Sequence, residues 1–147
     1  MNCPPSTEHR LMDNEHQALL EWAQESARRL RDARPVDETL YALDALRHLA
    51  RSHFEHECLE MRAMGYPASF AHAQEHQKLL TELSRLRAHI LHPNAASDFI
   101  ESVHDKIAGW MDVHISVDDR LYAKWLQQRR SAPLVSHRIS GSGMAGN

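Results

Sequence analysis

The chain has 147 residues, the length of about one domain with a buried core and too little for two substantial ones. Its 17 Lys and Arg against 20 Asp and Glu give a net charge of −3 that is dispersed along the chain, which argues against nucleic-acid binding through a basic face. Cys3 and Cys58 make neither a CxxC pair nor a disulfide framework, and neither a membrane-length apolar run of ~20 residues nor an apolar leader is evident, so a cytoplasmic protein with free thiols and no membrane contact is expected.

The periodicity is helical throughout. A first helix is predicted from about Arg10 to Arg31, with Met12, His16, Leu19, Leu20, Ala23, Ala27 and Leu30 along one stripe. A second begins with Asp37 as N-cap, carries Leu40, Leu43, Leu46, Ala50, His53, Glu57, Met61 and Met64, and stops at Gly65. The third starts near Pro67, which suits a first helical turn, and runs through His72, His76, Leu79, Leu80, Leu83, Leu86 and Ile90 to His92-Pro93-Asn94. The fourth opens at Ser97, with Asp98 and Glu101 in its first turn, and its stripe is Ile100, Val103, Ile107, Trp110, Met111, His114, Leu121 and Trp125. Beyond Arg130 the chain becomes rich in Ser and Gly, and residues 131–147 are predicted to be a disordered tail. Four helices with short links predict an all-α, antiparallel up-down-up-down four-helix bundle over residues 1–130.

The inward stripes carry polar residues at one level. Counted from the shared end of an antiparallel bundle, His16 stands 15 residues from Arg31, His53 16 from Asp37, His76 15 from Leu91 and His114 17 from Ser97. At ~1.5 Å per residue these four lie within about one turn of the same height. Glu57 and His72 sit one turn further along. Buried among Leu, Met, Ala and Val, such groups lack hydrogen-bond partners unless they coordinate a metal. Imidazole and carboxylate suit first-row transition metals. Five histidines and two carboxylates exceed what one ion accepts. Two octahedral ions bridged by both carboxylates and an oxo or hydroxo group would use them all, leaving one open position for a small gaseous ligand. His9, His48, His56, His89, His92, His104 and His137 lack the alignment and are assigned to the solvated face or the tail. Regular helix geometry would place Asp118, four residues after His114, on the ligand face, with Asp119 well off it; a π-type widening would bring Asp119 inward instead.

The set His16, His53-x-x-x-Glu57, His72-x-x-x-His76 and His114-x-x-x-x-Asp119 resembles the hemerythrin family, particularly its bacterial single-domain members. Asp13-Asn14-Glu15-His16-Gln17, Gly65-Tyr66-Pro67 after Met61, Trp110 before His114 and Tyr122 after Asp119 agree with it, and the resemblance spans about residues 11–126. It implies a di-iron centre in which His72, His76 and His114 hold one iron, His16 and His53 hold the other, and Glu57 and Asp119 bridge. The family spacing thus selects Asp119. The implied function is reversible dioxygen binding for storage, delivery or sensing, in a monomer that is not an enzyme and that passes oxygen to an oxygen-requiring enzyme. Trp110, Leu79, Met61 and Ile115 would line the pocket. Three departures stand out. The segment before the first helix is short, Leu79 replaces a common phenylalanine, and Cys58 replaces a frequent acidic residue; altered autoxidation is the expected effect. The alternative is a di-iron enzyme or sensor acting on peroxide or nitric oxide. Oxygen-activating bundle enzymes use two E-x-x-H motifs and more carboxylates, whereas this chain has only Glu101-x-x-His104.

Overall fold

The computed structural model describes residues 10–92 and 106–131 of the chain. Helices account for 92% of these residues and none is in a strand, so the protein is an all-α four-helix bundle. Helix α1 spans Arg10–Arg31, α2 Val36–Met64 and α3 Ser69–Leu91. The fourth, α4, is α-helical over residues 106–113, π-helical over His114–Asp119 and α-helical again over Arg120–Ser131. The predicted Ser97 cap, the first turn of the fourth helix, His9, His104, His137 and the tail from residue 132 lie outside the described residues.

Two starts differ from the sequence reading. Asp37 is not the cap of α2: Pro35 precedes the helix, and Asp37 and Glu38 lie in its first turn, where their charge suits the helix dipole. Thr39, buried, returns its hydroxyl to the Pro35 carbonyl at 3.2 Å. Pro67 lies in the turn ahead of α3, which begins two residues later at Ser69. The stop at Gly65 is as expected. Its φ of 71° is left-handed, and the next amide, Tyr66 N–H, closes on the Met61 carbonyl at 2.8 Å.

The end of α1 repeats that geometry without a glycine. Ala33 has φ 47°, and Arg34 N–H bonds the Arg29 carbonyl at 3.0 Å. A Cβ in this conformation costs roughly 1 kcal/mol. Ala33→Gly is therefore expected to raise stability by about 0.5–1 kcal/mol in urea denaturation; a lower midpoint would show that unfolded-state entropy dominates at this position.

Contacts between helices fix their directions. The Arg29 guanidinium donates to the Glu38 carbonyl across the α1–α2 turn at 2.9 Å, and Arg87 near the end of α3 reaches Asp44 near the start of α2 at 2.8 Å. Late α4 meets late α2, with Tyr122 donating to Glu60 at 3.0 Å and Arg129 donating to the Met64 carbonyl.

The larger apolar core draws Leu19, Leu43, Leu46, Leu86, Ile107 and Met111 from all four helices. Burying each such side chain stabilises the fold by roughly 1.5–3 kcal/mol. A smaller cluster of Met61, Tyr122 and Leu126, covered by Tyr66 and Trp125, lies beyond it. Between them on α2 come His53 and Glu57, and on α4 His114 and Asp119. The bundle therefore sandwiches a polar layer between two apolar ones. Leu121, expected on the inward stripe, is 56% exposed, while Tyr122 and Leu126 are buried. The π turn adds one residue to the coil, so every later position on α4 faces inward one residue late.

Candidate metal centre

All seven predicted residues meet in this layer. His16, His53, Glu57, His72, His76, His114 and Asp119 are each buried, none more than 6% exposed. His16 comes from α1, His53 and Glu57 from one face of α2, His72 and His76 from one face of α3, and His114 and Asp119 from the two ends of the π turn. That turn decides the choice between the two aspartates. Asp119 is 1% exposed among the histidines, whereas Asp118 is 35% exposed and accepts from the outer nitrogen of His114, Nδ1, at 3.1 Å.

The side chains form two groups, Glu57 with His72, His76, His114 and Asp119, and His16 with His53, Glu57 and Asp119, within each of which the ligand atoms lie within 4.8 Å of one another. Only the two carboxylates belong to both. Asp119 divides its oxygens: Oδ1 stands 3.1 Å from His72 Nε2 and 3.1 Å from His114 Nε2, while Oδ2 stands 2.9 Å from His16 Nε2. Glu57 Oε2 lies 3.0 Å from both His72 Nε2 and His76 Nε2, and 3.9 Å from His53 Nε2.

These approaches are close without being satisfied. Both oxygens of Asp119, both ring nitrogens of His16 and Nε2 of His53 have no aligned hydrogen-bond partner among the described residues. Nε2 of His76 and Nε2 of His114 face one another at 2.9 Å. If the ring protons sit on the outer nitrogens, these two nitrogens present lone pairs to each other, an arrangement that a metal ion held by both would satisfy. Ligand atoms at right angles, each about 2.1 Å from an ion, would stand about 3.0 Å apart, which is the spacing found. The layer could hold a metal ion.

Electrostatics point the same way. Burial pushes the Asp119 carboxyl up, but His114, His16 and His72 outweigh it and hold it well below its usual value; Glu57 is likewise lowered, His72 and His76 overcoming its burial. Burial pulls His72 down, and Asp119 and Glu57 more than reverse this, raising it to about 9. His114 is raised, Asp119 outweighing burial, and His76 is lowered by burial together with the charges of His114 and His72. A His72 raised from 6.5 contributes stability that is complete below about pH 6.5 and lost as pH climbs through about 9. The metal-free protein is therefore expected to show a lower urea midpoint at pH 9 than at pH 6.5. A midpoint unchanged across that range would contradict this charge arrangement. A metal must also displace the His72 proton, so loading should release protons.

A further set of contacts backs the inner residues, and of these the sequence reading anticipated only that Cys58 borders the ligands. Glu15 accepts from His53 Nδ1 at 2.8 Å and contacts His56 Nδ1 at 3.2 Å; Asp118 backs His114; Cys58 Sγ lies 3.4 Å from His76 Nδ1. The i+4 spacing of Asp118 from His114 was a legible signal, whereas the reach of Glu15 from α1 to α2 was not. Phe54 stacks on His76 with ring centroids 3.9 Å apart and meets His114 edge-on at 5.4 Å. Of the expected lining residues, Ile115 and Met61 are buried, and Leu79 and Trp110 are half-buried. His48, His56 and His92 are exposed, as expected, while His89 is half-buried and its Nδ1 lies 3.0 Å from the Arg85 carbonyl.

No helix among the described residues is long and apolar enough to cross a membrane. Comparison of the chain with protein-family models and with curated proteins finds no match.

Proposed function

We propose that this chain is a hemerythrin-type protein that holds two iron ions in the buried layer and binds dioxygen reversibly. The observation that carries the proposal is the pair of overlapping ligand groups that share only Glu57 and Asp119, with the two oxygens of Asp119 turned to different groups. His72, His76 and His114 would hold one ion, His16 and His53 the other, and the carboxylates would span both. A nitrogen-rich, oxygen-containing donor set suits iron, and the two groups supply different numbers of histidines. The group with two histidines leaves the more open ion.

A pair of ferrous ions supplies the two electrons that reversible dioxygen binding draws on. The chain's part is to hold and shield. Glu15 and Asp118 fix the ring orientations of His53 and His114 through their outer nitrogens. Phe54, Ile115 and Met111 close the layer against the larger core and exclude water and anions from that side. The scarcity of carboxylates separates the site from oxygen-activating bundle enzymes, which use more of them.

The test is optical. Anaerobically reduced, iron-loaded protein should gain a charge-transfer band in air and lose it under vacuum over repeated cycles. A band that forms once and does not reverse would favour the alternative, a di-iron enzyme or sensor acting on peroxide or nitric oxide.

A further inference from the structure

Three histidines of the layer have an identified partner on the outer ring nitrogen, and the partners differ in kind. His53 Nδ1 faces a carboxylate oxygen of Glu15 at 2.8 Å, and His114 Nδ1 faces a carboxylate oxygen of Asp118 at 3.1 Å. His76 Nδ1 faces the sulfur of Cys58 at 3.4 Å. Nε2 of His76 points inward, 3.0 Å from Glu57 Oε2 and 2.9 Å from His114 Nε2, so a His76 that ligates a metal there carries its proton on Nδ1 and donates it to the sulfur. A carboxylate accepts such a bond strongly and makes the imidazole more basic; a thiol accepts weakly.

We propose that Cys58 is a positioning residue for the metal centre: its sulfur accepts the outer N–H of His76 and keeps that imidazole a weaker electron donor than His114 on the same ion. The inference rests on the two-iron reading above. Its consequence is an ion held at a higher reduction potential than a carboxylate at position 58 would give, which favours the ferrous state. Phe54, stacked flat on His76, fixes the ring so that Nδ1 keeps facing the sulfur.

The surroundings allow the partner to be changed. Cys58 is part-buried and lines a groove of about 730 Å³ between α2 and α3, shared with Phe54, Arg62, His76 and Leu80. Burial and the neighbouring Glu57 disfavour a negative charge at this position, and Arg62, one turn along α2, offsets them only in part. Cys58→Asp places an oxygen within reach of His76 at that cost, and Cys58→Ser offers a near-isosteric neutral acceptor should the aspartate variant fold poorly.

The experiment compares iron-loaded wild type, Cys58→Asp, Cys58→Ser and Cys58→Ala by redox titration and Mössbauer spectroscopy. Cys58→Asp should shift the potential negative, the ferric form gaining about tenfold over the ferrous relative to wild type. Cys58→Ser should shift it less in the same direction, and Cys58→Ala should not shift it negative. Only one of the two ferrous Mössbauer doublets should move. Equal potentials in wild type and Cys58→Asp, or equal movement of both doublets, would overturn this inference while leaving the two-iron reading intact. Wild-type protein that takes up no iron would overturn both. In the metal-free protein, the ring ¹⁵N resonance of His76 Nδ1 should move on Cys58→Ser; an unmoved resonance would show that the sulfur is not its partner.

Discussion

Asp119→Asn is expected to remove at least one of the two proposed ions, whereas Asp118→Asn should leave both in place and weaken only the one held by His114, by about 10–100-fold. The residues are neighbours in sequence and both carry a carboxylate near His114, so composition and charge change identically. Their positions differ. Asp119 puts one oxygen against His72 and His114 and the other against His16, so replacing one oxygen by an amide nitrogen strips a donor from one group and the shared charge from both. Asp118 touches only the outer nitrogen of His114. Iron content after anaerobic loading and desalting separates the two. Equal losses, or a larger loss in Asp118→Asn, would mean that the π turn does not carry the bridging carboxylate.

Removing the metal should cost the fold a large part of its stability. Without an ion, both oxygens of Asp119, both nitrogens of His16 and Nε2 of His53 are buried with no aligned hydrogen-bond partner among the described residues, and the ion-pair contacts of Asp119 with His16, His72 and His114 offset only part of that cost. Each such group costs on the order of 1–3 kcal/mol. Metal bound at a thousandfold excess over its dissociation constant contributes about 4 kcal/mol, and for a chain of this size that moves the melting temperature by roughly 10 °C. Calorimetry of loaded and chelated protein at pH 7 checks this. Identical melting temperatures would mean that the layer is satisfied without metal.

The level of the ligands was legible because helix rise is constant: counting residues from the bundle's common end brought His16, His53, His76 and His114 to one height, and in the structure the His16 and His53 rings stand 4.7 Å apart, as do those of His76 and His114. The facing of α4 was legible only as far as His114. A single extra residue in the coil over His114–Asp119 turns Asp119 inward in place of Asp118, and Tyr122 in place of Leu121, with Leu126 buried and Trp125 packed part-buried beside it. Regular periodicity cannot register an insertion that leaves the composition of the stripe unchanged; the family spacing could, because it encodes the widened turn. The caps were misplaced for a different reason. Asp37 has the chemistry of an N-cap, but Pro35 already fixes the chain's entry into α2, and an aspartate two residues on serves equally well in the first turn. The outer partners depend on which side chains reach across from a neighbouring helix. Glu15 to His53 and Cys58 to His76 are such contacts, and nothing in the order of residues along one helix specifies them.

The most direct test of the account is the number of iron ions that one chain holds after anaerobic loading with ferrous iron and removal of the excess. The account predicts close to two per chain. A value near zero would contradict it, leaving the buried histidines as a structural layer, and a value that saturates at one would contradict the shared-carboxylate arrangement on which the oxygen-binding proposal rests.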